Sequence, residues 1–240
     1  MVANVGDDIQ AERGNWKFSG NTTRTFDEHV EKSVPLYIEG HNLICDVSDF
    51  FVKPESLVYE IGCSTGTLTL KLAEHNKQKP DARFIGIDIE EDMIAVAEEK
   101  RKAFPDVNAS FIVADAVSMD LEPADMIVCY YAVQFVKPSV RQLLIDRLYK
   151  ALNWGGALLL FEKVRGADAR FQDILTALYT DYKLRKGYSA EDIISKSRSL
   201  KGVLEPFSTQ GNVDLLRRAG FEDINTIQKY LCFEGFIAIK

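Results

Sequence analysis

The chain has 240 residues, 46% hydrophobic and 27% charged, which suffices for one sizeable buried core. Its formal net charge of −7 disfavours nucleic acid as a partner, and the richest basic stretch (Lys183, Arg185, Lys186, Lys196, Arg198 and Lys201) is interleaved with acids, as on a solvated helix face. Cys45, Cys63, Cys129 and Cys232 show no metal-ligand or disulfide spacing, the polar start has no signal-peptide profile and no apolar run reaches membrane-span length, so a metal-free cytoplasmic protein without membrane attachment is expected.

Residues 1–50 read as a polar tail followed by a helical cap, whose ordered part is expected at 30–37 and 41–51. From Leu57 onward, short β-branched runs alternate with amphipathic stretches. Strands are predicted at 57–61, 83–88, 110–114, 125–130 and 156–163, and helices at 67–75, 91–104 and 138–152. Such alternation indicates right-handed βαβ units and a parallel sheet. After a final helix at 213–219, strand-like runs at 226–230 and 235–240 suit a terminal antiparallel hairpin. The predicted fold is a doubly wound, mostly parallel, seven-stranded α/β sheet of Rossmann-like type. A helical insertion at about 164–212 is expected to cap the carboxyl edge of the sheet, where α/β folds bind ligands. It would act as lid and substrate wall of one domain spanning 51–240.

The strongest local signal is Val58-Tyr59-Glu60-Ile61-Gly62-Cys63-Ser64-Thr65-Gly66, a strand that ends in a tight turn and passes at once into a helix. Gly62 and Gly66 let a ligand approach the backbone closely, and Glu60 suits a cationic or amine-bearing group. The same G-x-S-x-G pattern fits a nucleophile elbow, but a serine hydrolase needs a base histidine after the fifth strand. His29, His41 and His75 all precede it. Asp88 closes the second strand, where an acid about 20–25 residues beyond the turn accepts from ribose hydroxyls. Asp115 follows the third strand, in Ile112-Val113-Ala114-Asp115-Ala116, and is a third acid at a strand end. Three acids at successive strand ends make a pocket that suits a sulfonium and repels a pyrophosphate, which favours S-adenosyl-L-methionine over a dinucleotide. Beyond the fourth strand, Tyr130 and Tyr131 stand where a methyl acceptor would lie. They offer cation–π support to the sulfonium or a hydroxyl to the acceptor, or else pack into the core. His29, beside Asp27 and Glu28, is a candidate base or simply a cap residue. With no metal cluster evident, catalysis would rest on proximity and alignment.

A parallel sheet closed by an antiparallel hairpin resembles the class I S-adenosylmethionine-dependent methyltransferases. More closely, the chain is similar to the carboxy-S-adenosyl-L-methionine synthases, methyltransferase-fold enzymes of tRNA wobble-uridine modification. The likeness runs from about Trp16 to Lys240. It is carried by Trp16-x-Phe18, Ser33-Val34-Pro35-x-Tyr37, Gly62-Cys63-Ser64, Gln134-Phe135 with Pro138 and Arg141-Gln142, Leu152-Asn153-x-Gly155-Gly156-Ala157, Glu162-Lys163, Gly187-Tyr188-Ser189 and Ala219-Gly220-Phe221. The resemblance implies that Tyr37, Gly62, Ser64, Asp88, Asp115 and Ala116 line the S-adenosylmethionine site; Glu60, Gly66, Ile89 and Tyr130 complete the expected lining.

Two positions depart from the family pattern. The fourth strand ends in Tyr130 where the synthases carry an asparagine. The arginine that clamps an extra carboxylate in the synthases falls on Ser197, with Arg198 one residue later and about 100° further round a helix. Arg198 is the candidate clamp provided that a bulge or gap restores its direction. These departures favour ordinary methyl transfer to a small-molecule acceptor, with S-adenosyl-L-homocysteine as product. Carboxyl transfer from prephenate to S-adenosylmethionine, giving carboxy-S-adenosylmethionine for tRNA modification, is the alternative. A non-catalytic adenosyl-binding partner protein is a further one. The amphipathic insertion offers a surface for a homodimer.

Overall fold

The computed structural model describes residues 3–4, 10–16, 18 and 22–240. Seven strands form one mixed sheet: β1 (Leu57–Ile61), β2 (Arg83–Asp88), β3 (Ala109–Val113), β4 (Ala124–Tyr130), β5 (Leu152–Lys163), β6 (Asp223–Tyr230) and β7 (Phe233–Ile239). The helices are α1 (Thr22–Ser33), α2 (Tyr37–Phe51), α3 (Thr67–His75), α4 (Glu91–Arg101), α5 (Pro138–Ala151), α6 (Ala169–Arg185), α7 (Ala190–Ser199) and α8 (Thr209–Ala219). The sheet order is β3-β2-β1-β4-β5-β7-β6. The first five strands pair in parallel, and β7 runs antiparallel between β5 and β6.

Successive side chains of the central strands feed two separate cores. Val58, Met126, Val128, Leu159 and Phe161 pack with residues of α2, α3 and α4 on one face. Tyr59, Ile61, Ile127, Cys129, Leu158 and Leu160 pack with α5 and α8 on the other. Burial on both faces is why these strands read as continuous apolar runs and not as alternating ones. This is the doubly wound arrangement predicted from the sequence. Ile44 of α2 is fully buried in the first core, so the cap is built onto the sheet.

The cap differs from expectation in its helix boundaries. A helix over 30–37 would cross Pro35, which lacks an N–H and disfavours helical backbone in the residue before it. Accordingly α1 ends at Ser33, Leu36 turns left-handed with φ 57°, and α2 begins at Tyr37. Gly40 lies inside α2, where a Cβ would come 2.2 Å from the Tyr130 hydroxyl. The insertion forms α6 and α7. Asp168 caps the first, and Ser189 with Asp192 forms a reciprocal capping box on the second. Tyr179 of α6 donates to the Ser33 carbonyl at 2.7 Å, resting the insertion on the cap above the carboxyl ends of the strands. All four cysteines are buried free thiols. No helix among the described residues is long and apolar enough to cross a membrane.

Candidate active site

The turn after β1 is fastened to β2 through its backbone. The N–H groups of Gly62 and Cys63 donate to the Ile87 carbonyl at 2.8 and 3.0 Å, and that of Ser64 donates to Asp88 Oδ2 at 2.8 Å. Asp88 Oδ1 accepts from the Glu90 N–H at 3.0 Å. Gly62 has φ 73°, and a Cβ there would stand 2.5 Å from that of Ala132, so only glycine keeps this turn tight. Gly66 has another reason. It caps α3 with φ 73°, a Cβ would lie 2.5 Å from the Phe111 ring, and it does not reach the cavity below. Its expected place in the ligand lining is therefore corrected to a packing role.

A cavity of about 850 Å³ opens at the carboxyl ends of the strands, beside the point where the order reverses between β1 and β4. Tyr37, Glu60, Gly62, Ser64, Asp88, Ile89, Asp115, Ala116, Tyr130, Tyr131 and His29 all line it, so residues scattered over a hundred positions come together around one space. Glu60 is buried and accepts from the Thr69 hydroxyl; burial pushes its carboxyl up to about 8. Burial also raises Asp88, against the pull of its backbone N–H donors. Ile89, 66% exposed, places an apolar surface beside these acids. Carboxylates for hydroxyl and amine groups, next to an apolar ledge for a ring, fit an adenosyl group with a cationic tail. Among the described residues, no cluster of His, Cys, Asp and Glu stands ready to hold a metal.

The aromatic end of the cavity is more constrained than its sequence suggests. The Tyr130 hydroxyl donates to the Tyr37 carbonyl at 2.6 Å, and its ring packs on Tyr37, His41 and Phe161. Tyr131 has a left-handed backbone, φ 58°, with its N–H donating to the Phe161 carbonyl at 2.8 Å. Its buried hydroxyl has no hydrogen-bond partner among the described residues. Burial raises the pKa of both phenols, so neither is a ready base. His29 stacks on Trp16 at 5.7 Å, and its Nδ1 lies 3.4 Å from the Tyr188 hydroxyl. Its Nε2 meets the Lys196 ammonium, which can only donate, so that nitrogen is already engaged and the expected base role is not supported.

From α7 and its C-cap the cavity is lined by Ile193, Lys196, Ser197 and Leu200, the three- and four-residue spacing of one helix face. Arg198 lies off this stripe, is exposed and does not line the cavity. No bulge restores its direction: α7 is a regular helix from Ala190 to Ser199. The candidate clamp is thus corrected, for the rotational reason that made it doubtful.

Sequence reading also missed cavity residues. Asp27 of α1 accepts from Thr65 at 2.7 Å and pairs with Lys100 of α4, which donates to Thr65 and Thr67 at 2.8 and 2.7 Å. This cluster ties the cap to the glycine turn across three elements, which no local pattern reveals. Lys163 and Lys183 line the roof; the one signal for Lys163 was its place in Glu162-Lys163.

The methyltransferase-domain family matches residues 58–156. The carboxy-S-adenosyl-L-methionine synthase of Staphylococcus epidermidis is 39% identical over 226 residues, covering 94% of this chain and 97% of the relative. The chain belongs to the carboxy-S-adenosyl-L-methionine synthase family. The synthase of Nautilia profundicola is 36% identical over 225 residues, covering 94% of each chain. Magnesium protoporphyrin IX methyltransferase from Synechocystis, solved with bound SAH, covers 88% of this chain and 86% of its own at a TM-score of 0.60. At 17% identity that likeness establishes the shared α/β architecture and nothing finer. Membership of the synthase family places this chain among enzymes of the S-adenosylmethionine-dependent methyltransferase fold.

Proposed function

We propose that this chain binds S-adenosyl-L-methionine and carboxylates its S-methyl group, forming carboxy-S-adenosyl-L-methionine. The observation that carries this reading is the division of charge in the cavity. Glu60, Asp88 and Asp115 stand on the sheet wall, while Lys163, Lys183, Lys196 and Lys201 stand on the roof formed by the end of β5 and the insertion. An acidic wall suits a cationic sulfonium donor. A basic roof suits an anionic source of the carboxyl group, and the source that the resemblance implies is prephenate. The bound donor would supply an activated methyl whose C–H bond gives way to a C–C bond to the carboxyl carbon. That carbon leaves the prephenate ring, which becomes aromatic as phenylpyruvate by expelling hydroxide, and the hydroxide takes up the methyl proton as water. The protein's part is to hold the two opposite charges against one another and to keep bulk water out, which converts an encounter into an aligned pair.

Methyl transfer to a small acceptor is the second reading. It is favoured by Arg198 standing outside the cavity and by Tyr130 at the family's asparagine position. One experiment separates the two. Purified protein is incubated with S-adenosylmethionine and prephenate, and the small molecules are followed by mass spectrometry. Accumulation of carboxy-S-adenosylmethionine is the expected result. Unchanged S-adenosylmethionine under those conditions would sink the carboxylation reading and send the search to methyl acceptors. Turnover of either kind excludes a purely adenosyl-binding partner protein.

A further inference from the structure

We infer that Lys163 and Lys183 form a carboxylate subsite in the roof of the cavity, built on the ring of Tyr179. Lys163 ends β5 and Lys183 lies near the end of α6, yet both ammonium groups sit over the same ring, at 4.4 and 4.6 Å from its centroid. The ring is fixed, because the Tyr179 hydroxyl donates to the Ser33 carbonyl.

No anion among the described residues answers these two charges. Neither ammonium group makes an ion pair or a hydrogen bond with a described residue; Lys163 is otherwise held through its backbone N–H, which donates to Gln134 Oε1 at 3.0 Å. Cys232 is the acidic group whose field acts on both, and burial raises its thiol, so it stays neutral at physiological pH. The Tyr179 phenol is likewise raised by burial. Lys201 adds a further positive charge felt by Lys163. Two like charges held together out of bulk water, facing a cavity, are costly unless a ligand of opposite charge completes them. Burial lowers both ammonium groups, and Lys183 comes down to about 8. The aromatic face offsets part of the cost but supplies no counter-ion. A carboxylate does, accepting from both nitrogens at once.

Which molecule carries that carboxylate rests on the functional reading above: the carboxyl source, or the extra carboxylate of the carboxylated donor. Calorimetry decides, with protein loaded with S-adenosylhomocysteine titrated by prephenate and by succinate, and unloaded protein titrated by carboxy-S-adenosylmethionine and by S-adenosylmethionine. Lys163→Gln and Lys183→Gln are each expected to weaken at least one carboxylate ligand tenfold or more and to leave S-adenosylmethionine within twofold. Loss on prephenate and succinate assigns the subsite to the co-substrate; loss on carboxy-S-adenosylmethionine alone assigns it to the carboxylated donor. Affinities within twofold of wild type for every carboxylate ligand overturn the subsite. The wild-type protein gives a test without any substitution, since carboxylate affinity is expected to fall from pH 7 to pH 9 as Lys183 loses its proton. A flat profile also overturns the subsite. Lysine-dependent succinate binding by a protein that makes no carboxy-S-adenosylmethionine would leave the subsite standing and remove the functional reading. Carboxylation by both variants at wild-type affinity would do the reverse.

Discussion

The hydroxyl of Tyr130, the last residue of β4, donates to the backbone carbonyl of Tyr37, the first residue of α2, at 2.6 Å. One hydrogen bond thereby joins the sheet to the cap at the mouth of the cavity. Gly40 makes room for it, since any Cβ there would fall on the same hydroxyl. Tyr130 therefore acts first as a structural tie.

Removing that hydroxyl tests the tie. Tyr130→Phe keeps the ring and is expected to cost about 1 kcal/mol of stability, the usual net worth of one hydrogen bond. Gly40→Ala is expected to cost about 1–3 kcal/mol through overpacking. In the double variant the clash is relieved, so the two losses should add to less than their sum. Strict additivity in urea unfolding would show that the two residues are not coupled.

Asp88 holds the Ser64 amide and faces the cavity, so its loss acts on the ligand through both. Asp88→Ala is expected to weaken S-adenosylmethionine binding by about 1–3 kcal/mol, the cost of stranding buried polar groups. An unchanged dissociation constant would remove Asp88 from the site.

Glu60 is expected to couple binding to protons. Its carboxyl is raised by burial from an ordinary 4.5 to about 8, so the ligand-free folded state keeps a proton there that the unfolded chain releases. The stability this provides is fully present below pH 4.5 and is lost as pH rises through about 8. A cationic ligand beside Glu60 favours the carboxylate. S-adenosylmethionine should therefore bind with proton release near neutral pH and more tightly at pH 8 than at pH 6. Titrations in buffers of different ionisation enthalpy measure the release, and Glu60→Gln should abolish it. Equal release by that variant places the proton elsewhere.

His41 gives the opposite slope. It is buried in α2 against Tyr37 and Tyr130, with Nε2 unpartnered among the described residues, and desolvation lowers it from 6.5 to about 3. The folded state keeps it neutral while the unfolded chain takes up a proton. Its contribution to stability is whole above pH 6.5 and is lost as pH falls toward 3, at no more than about 1.4 kcal/mol per pH unit. His41→Phe should flatten the loss of stability between pH 6 and pH 4 in denaturant titrations. A variant that loses stability as steeply as wild type would show that His41 does not titrate on unfolding.

The sheet, its closing hairpin, the glycine turn and the acids at three strand ends were legible in the amino-acid sequence. Each of these is written in short-range terms: the period of apolar residues, the backbone freedom of Gly62, the distance from a strand end to the next carboxylate. The helix expected across Pro35 failed at that same level, because the proline rule should have outweighed the apolar pattern. The directions in which side chains point were settled only when distant elements packed together. Lys196 and Ser197 face the cavity and Arg198 does not, because packing of the insertion on the cap set the rotation of α7. The His29 nitrogen is taken by a lysine from a helix far along the chain, and the Tyr130 hydroxyl by a carbonyl of the cap. Lys163 and Lys183 reach one aromatic ring from a strand and a helix whose register to each other no local pattern encodes. Directions and partners of this kind are long-range quantities, fixed by packing of the assembled layers.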